Sequence, residues 1–263
     1  MKKDSLAVLE YHYSDTFQNA DGLGRISYYG ISGYPTAKID GSRTVVGGSS
    51  ATFSNYLSNY NYEMQFSPSR CTLNVFVDYN STTRFLKIKA RATKIDTFQN
   101  ARLRYAIAEN YLPKDDPGWP YPYLYHVVRK MLPNFTGVVI PNTLPVAQSF
   151  VDSQTYTLPT AWNDDSCYVV VFVQDDDSPR PVYRSAKSGL FLSWVYGDAS
   201  GDGSVTSADI VYLLNYLFIN GPRPNPLASG DPTGDCQINT ADVVYLLNYL
   251  FVTGPPPLKG CAW

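Results

Sequence analysis

Residues Gly197–Asp209, GDASGDGSVTSAD, decide how the C-terminal quarter of this chain is read. Acidic and hydroxyl side chains recur around Gly201 and Gly203, directly ahead of an apolar run. With Asp198 as position 1 of a twelve-residue loop, positions 3, 5, 7, 9 and 12 are Ser200, Asp202, Ser204, Thr206 and Asp209. A hard cation such as Ca²⁺ takes its oxygens from carboxylates, hydroxyls, backbone carbonyls and water, and a tightly turning loop aims alternate side chains at one point. Gly203 at position 6 allows the sharp turn. Asp209 arrives from the first turn of the following helix, whose N-terminus it also stabilises. Ser204 is expected to give its backbone carbonyl and Thr206 to act through water.

The plainer alternative is a pair of Asp/Gly turns that only cap helices. Repetition favours the cation. ADIVYLLNYLFINGP (208–222) recurs as ADVVYLLNYLFVTGP (241–255), an offset of 33 residues from Asp209 to Asp242. Ile210, Leu213, Leu214 and Leu217, then Val243, Leu246, Leu247 and Leu250, follow the helical period. Gly-Pro ends each run, because proline cannot continue the hydrogen-bond ladder. Neither loop-helix unit can bury its apolar face alone, so the two must pack on each other. The second loop carries Asp231, Thr233, Asp235, Gln237, Asn239 and Asp242 at the same positions. It has Cys236 where the first has Gly203, and a β-carbon penalises positive φ.

At these residues the segment 197–263 resembles a type I dockerin, a duplicated loop-helix variant of the EF-hand with aspartate at position 12. The resemblance implies an all-α domain that folds on binding Ca²⁺ and docks onto a cohesin-like module of a scaffold or surface protein. It also implies recognition near loop positions 10 and 11, here Ser207-Ala208 and Thr240-Ala241, with either helix able to offer the partner face.

Residues 69–194 read as an antiparallel β-sandwich or jelly roll. TLNVFVDY, FLKIKARAT, ARLRYAIAEN and CYVVVFVQ alternate or run apolar over short spans between turn residues. Residues 1–68 mix types: a strand in LAVLEYH, a helix near GRISYYG, strands in PTAKID and RTVVGG, and a helix in SATFSNYLSNYNYEM. This is the pattern of a small α/β unit. YGISGYPTAKIDG (29–41) looks like the part of a thioredoxin fold around its cis-proline, here Tyr34-Pro35-Thr36. The CxxC of that fold is missing; His12-Tyr13-Ser14-Asp15 stands in its place, and neither hydroxyl nor imidazole replaces a thiolate in disulfide exchange. HVVRKMLPNFTG and CYVVVFVQD look similar to the sandwich domain of thioredoxin-like outer-membrane lipoproteins. That resemblance spans most of residues 6–190 and implies a redox-silent surface protein.

Four cysteines allow three pairings. Cys71 and Cys167 each open a strand-like run that can be a neighbour of the other, while Cys236 and Cys261 lie at the two ends of the C-terminal segment. Cys71–Cys167 and Cys236–Cys261 are therefore the expected bridges, formed in an oxidising compartment. The sequons at Asn80 and Asn134 permit a glycan. A net charge of -2 gives no case for nucleic acid, and no apolar run approaches the length of a spanning helix. The start, MKKDSLAVLEYHY, lacks the uninterrupted apolar region of a signal peptide, so export signals are expected to be trimmed or to lie outside this sequence. QDDDSPRP (174–181) reads as a solvated acidic turn, and the aromatics of DDPGWPYPYLYH (115–126) as cover for the sandwich core.

Nothing in the spacing pairs His12 or His126 with a nucleophile. The expectation is a secreted or cell-surface bacterial protein of three modules without catalysis of its own. Its tail would attach it to a cohesin-like module or to neighbouring copies of itself. Two alternatives stand beside this: a structural subunit of an extracellular filament, and a carbohydrate-active enzyme component carried by its dockerin.

Overall fold

A computed structural model describes residues 6–114, 122–190, 195–224, 227–260 and 262. The chain forms two compact units, Met1–Phe191 and Leu192–Trp263. The segment 1–68 and nearly all of the segment 69–194, distinct in sequence character, thus share the first unit.

That unit opens with helix α1 (Ala20–Tyr29), strands β1 (Thr36–Ile39) and β2 (Arg43–Val46), and helix α2 (Phe53–Phe66). Asn19 caps α1 by accepting from the Gly22 amide, and Gly30 closes it in the left-handed conformation. The Tyr34–Pro35 peptide is cis. The expected strand in LAVLEYH is reduced to one parallel bridge, Glu10 to Val127. Its apolar alternation has another use: Ala7, Leu9 and Tyr11 pack over the sheet instead of pairing within it.

The sandwich follows, with β3 (Cys71–Asn80), β4 (Phe85–Lys94), β5 (Ala101–Glu109), β6 (Leu112–Pro113), β7 (Tyr123–Leu124) and β8 (Val127–Leu132), then β9 (Val138–Val139), β10 (Ser149–Thr157), β11 (Cys167–Asp175) and β12 (Val182–Gly189). One sheet has the order β10-β4-β3 and the other β12-β11-β5-β8, with β9 beside β5; all these pairings are antiparallel. Strand β4 shows how one covered face is written in sequence. Leu86, Ile88, Ala90 and Ala92 enter the core while the residues between them face outward. Strand β11 is buried along all nine residues. One of its faces meets the sandwich core, and the other is covered by Ala7, Leu9, Tyr11 and Phe135. Burial on both faces explains its unbroken apolar run.

Polar contacts hold α1 to the strands. The Asp21 carboxylate accepts from the Met131 and Phe135 amides at 3.0 Å and pairs with Lys130 at 2.8 Å. A β-carbon on Gly24 would lie 2.3 Å from the Phe135 ring, so only glycine permits this approach. The QDDDSPRP turn is not a solvated one. Asp176 accepts from Arg102 and from Arg104, which is 1% exposed. Burial pushes the Asp176 carboxyl up, but Arg104, Tyr28 and Arg102 together hold it below the ordinary carboxylate range.

The expected Cys71–Cys167 bridge does not form; both thiols are free and buried. Strands β3 and β11 belong to different sheets. Tyr79, near the far end of β3, donates to Asp164 at 2.7 Å, beside the entry to β11. Cys71 lies eight residues back along β3, about 26 Å at the usual strand rise. Trp119 and Tyr121 lie outside the described residues, whereas Tyr123 and Tyr125 are exposed and Leu124 alone of this strand turns inward.

The second unit holds helices α3 (Ser207–Phe218) and α4 (Thr240–Phe251). They pack through Ile210, Leu213, Val243 and Leu246, with Ala199 beside them. Each helix ends against a glycine whose amide reaches back to an asparagine carbonyl, Gly221 to Asn215 and Gly254 to Asn248.

Candidate functional site

The two loops ahead of these helices are organised by their own aspartates. In the first, Asp198 Oδ1 accepts from the Gly201 and Asp202 amides at 2.8 and 3.1 Å, and Oδ2 accepts from the Gly203 amide at 2.7 Å. Asp209 reaches back from α3, accepting from the Ser200 amide at 2.9 Å and the Thr206 amide at 2.8 Å. The second loop repeats this arrangement. Asp231 accepts from the amides of Gly234, Asp235 and Cys236, and Asp242 from those of Thr233 and Asn239. Thr206 and Asn239 each complete a capping box with the aspartate at position 12.

Burial gives these carboxylates their meaning. Asp198 is 3% exposed, and Asp209, Asp231 and Asp242 are 0% exposed. In the second loop the Thr233 hydroxyl lies 3.2 Å from Asp231 and 2.8 Å from Asp242, so the two carboxylates converge within reach of one side chain. Burial, joined by the like charge of Asp231, raises the Asp242 pKa against the donors that lower it. Two buried like charges held this close are costly unless a cation joins them. The donor set is hard oxygen throughout, which suits calcium and not a soft transition metal.

Positions 1, 3 and 12 are thus brought together in each loop. Position 5 is not: Asp202 and Asp235 turn to the Ser204 and Gln237 amides, each at 2.9 Å. Position 9 departs from the expected water-mediated role, because Thr206 and Asn239 use their side chains to accept from the Ala208 and Ala241 amides. Among the described residues, no group of three or more His, Cys, Asp or Glu side chains gathers in a metal-holding cluster. Each loop converges two carboxylates and fills its remaining positions with hydroxyls and backbone.

The loops differ at position 6. Gly203 has φ of 93°, and Cys236 takes a left-handed φ of 67° despite its β-carbon. Cys236 is disulfide-bonded; its expected partner, Cys261, lies outside the described residues. The second loop is also braced by the chain's last residues. The Ala262 amide donates to Asp231 at 3.0 Å, and the Leu258 amide to the Pro232 carbonyl at 2.9 Å. A β-carbon on Gly260 would come within 2.0 Å of the Ala228 carbonyl oxygen, so this closure requires glycine.

On the outside of the helices, Val211, Leu214, Phe218 and Ile219 are exposed, and so are their counterparts Val244, Leu247, Phe251 and Val252. Equivalent positions in both repeats therefore present the same apolar stripe. Sequence periodicity alone assigned Leu214 and Leu247 to the buried face; the structure puts Leu213 and Leu246 there and leaves these two outside.

A two-sheet front unit and a duplicated loop-helix tail make up a two-part protein. The chain belongs to the outer membrane protein Omp28 family, whose model matches residues 24–187, and a dockerin type I domain matches residues 196–251. Among solved structures it is similar to HBP35 of Porphyromonas gingivalis, with a TM-score of 0.53 and 15% identity over 68% of this chain and 62% of that one. The chain therefore spans less than two thirds of that relative, and the likeness is one of fold. A domain of the outer membrane lipoprotein Omp28 from Porphyromonas gingivalis matches at a TM-score of 0.34 and 12% identity, over 46% of this chain and 88% of that one. No curated protein matches the chain.

Proposed function

We propose that this protein is a non-catalytic surface component whose tail binds Ca²⁺ in both loops and thereby docks onto a cohesin-like module of another surface or scaffold protein. The observation that carries this reading is the pair of buried, converging carboxylates repeated in both loops, each ahead of the same exposed stripe. In the second loop Asp231, Thr233 and Asp242 would hold the ion with the Gln237 carbonyl; in the first, Asp198, Ser200 and Asp209 with the Ser204 carbonyl. Asp202 and Asp235 would join them by turning away from the Ser204 and Gln237 amides. The ion supplies the positive charge that lets these aspartates stay ionised while buried. Folding is then coupled to binding, and the partner meets a surface whose ordering has already occurred.

Because the stripes are equivalent, either helix can serve as the docking face. The front unit fits the same non-catalytic reading. His12 Nδ1 lies 2.5 Å from Asp15, a local contact, and His126 Nδ1 lies 2.8 Å from the Tyr168 hydroxyl, which also donates to the Val8 carbonyl. Calcium titration followed by circular dichroism tests the metal, and equal helicity in chelator and in calcium would refute it. Capture of purified cohesin modules tests the partner. Leu214→Asp or Leu247→Asp alone should weaken capture only about twofold, since one face remains; both together should abolish it. Equal capture by the double variant removes the docking assignment.

A further inference from the structure

The front unit carries an open pocket that the tail does not explain. Its volume is about 430 Å³, within the range of small-molecule sites, and it lies between the β1–β2 turn, the last turns of α2 and the prolines of the QDDDSPRP segment. Ser42, Arg43, Tyr62, Glu63, Phe66 and Ser67 form one wall, and Pro179 and Pro181 the other. We infer that this pocket binds a hydroxyl-rich sugar ring.

The polar side of the pocket is fixed in advance. Glu63 is 5% exposed and accepts from Arg43 Nε at 2.8 Å, from Ser42 at 3.1 Å and from Ser67. The Arg43 guanidinium carbon stands 3.7 Å from the centre of the Tyr62 ring, so its plane is clamped from two directions. A guanidinium held this way presents its remaining N–H groups at the pocket in one orientation. Both serine hydroxyls spend their protons on Glu63 and keep lone pairs free to accept. The pocket thus offers donors and acceptors side by side, as a polyol requires.

Charge decides against an anionic ligand. Glu63 already neutralises Arg43, so the pocket offers hydrogen bonds with little net field. The apolar side suits the C–H face of a sugar: Phe66 is 57% exposed and packs against Tyr62 at 4.8 Å, facing two rigid proline rings. Free aromatic surface beside a fixed polar fork is the usual composition of a small-ligand site. The inference is independent of calcium and of the tail's partner.

The test is saturation-transfer NMR and calorimetry on the full chain. The probes are soluble hexamers of β-1,4-glucose, α-1,4-glucose, β-1,4-xylose, β-1,4-mannose and β-1,4-N-acetylglucosamine. At least one hexamer should bind with a Kd below about 10 mM. Phe66→Ala should weaken that hexamer about fivefold or more while leaving the melting temperature unchanged, because this ring is exposed. Arg43→Lys keeps the charge and removes the fork, so it should weaken binding about tenfold; a purely electrostatic site would be spared. The inference is overturned if no hexamer binds, if Phe66→Ala and Arg43→Lys bind as the parent does, or if only uronate or phosphate competitors bind.

Discussion

The two units of this chain solve the problem of buried charge in opposite ways. In the front unit four buried or half-buried carboxylates have cationic partners: Asp176 has Arg102 and Arg104, Glu109 has Arg129, Asp21 has Lys130, and Glu63 has Arg43. In the tail, Asp198, Asp209, Asp231 and Asp242 are met by backbone amides and hydroxyls. The front unit also has a sandwich core running through both sheets, whereas among the described residues the buried cluster between the tail's helices is Ala199, Ile210, Leu213, Val243 and Leu246. A domain with so small a core needs a staple. The comparison teaches that the front unit carries counter-charges in its own sequence, whereas under the proposed function the tail would take them from calcium.

The largest expected effect breaks the molecule along this line. Chelation of the full chain should speed amide exchange in α3 and α4 by at least about a hundredfold and leave β11 unchanged. Hydrogen-exchange mass spectrometry reads both regions in one experiment. Equal protection of the helices with and without calcium would erase the distinction between the units.

Next comes the front unit's own charge pair. Asp176→Asn leaves Arg104 buried beside a neutral group and should destabilise the front unit by about 3 kcal/mol, with the tail transition unmoved. The pH dependence has a definite sign. The folded pKa of Asp176 is depressed, so its contribution is present above the unfolded value and is lost as pH falls through the folded one. In urea melts, parent and variant should therefore converge in strong acid and diverge towards neutrality.

The sequence carried these regions unequally. In the tail, periodicity located both helices and loop spacing located both carboxylate pairs, because a loop of fixed length leaves little freedom in where its side chains point. Leu214 and Leu247 escaped this reading, since an apolar residue at helical spacing looks the same on the core face and on an exposed face. In the front unit, the alternation of β4 and the unbroken run of β11 identified strands correctly, but alternation over Ala7–Tyr11 meant packing on a sheet and not pairing in it. The Asp176 cluster was illegible for a simpler reason. Arg102 and Arg104 lie more than seventy residues from it in sequence, and only the fold brings them together. Cys71 and Cys167 misled because strand-opening position says nothing about which end of a sandwich a strand begins from.

The third effect compares the two loops directly. Cys236 occupies a left-handed conformation that glycine fills in the first loop, at a penalty of about 1 kcal/mol. Its disulfide contributes more than that, typically about 2–4 kcal/mol. Cys236→Gly should therefore destabilise the oxidised tail by about 1–3 kcal/mol, the difference between these opposing terms. In the reduced protein the sign should reverse, the variant exceeding the parent by about 1 kcal/mol. Calcium-loaded thermal melts with and without reductant would read both signs. If the variant is destabilised equally in both, the bond is not what compensates the backbone.

The smallest effect concerns the other two cysteines, and it sharpens the contrast between the units through reactivity. Burial pushes the Cys71 thiol up to about 11 and the Cys167 thiol up to about 12, the latter helped by Glu109. Only the thiolate reacts with alkylating agents, so in native protein at pH 8 Cys71 should label at least about a hundredfold, and Cys167 at least about a thousandfold, more slowly than an exposed cysteine. Substituting either by alanine removes a small apolar group and should lower stability by about 1 kcal/mol, with no change in the tail. Reductant should likewise leave the front unit's melting unchanged, because it has no bridge to lose. A front unit that melts lower after reduction would mean that these thiols are bonded in solution, and that the sulfur chemistry does not separate the two halves as their charges do.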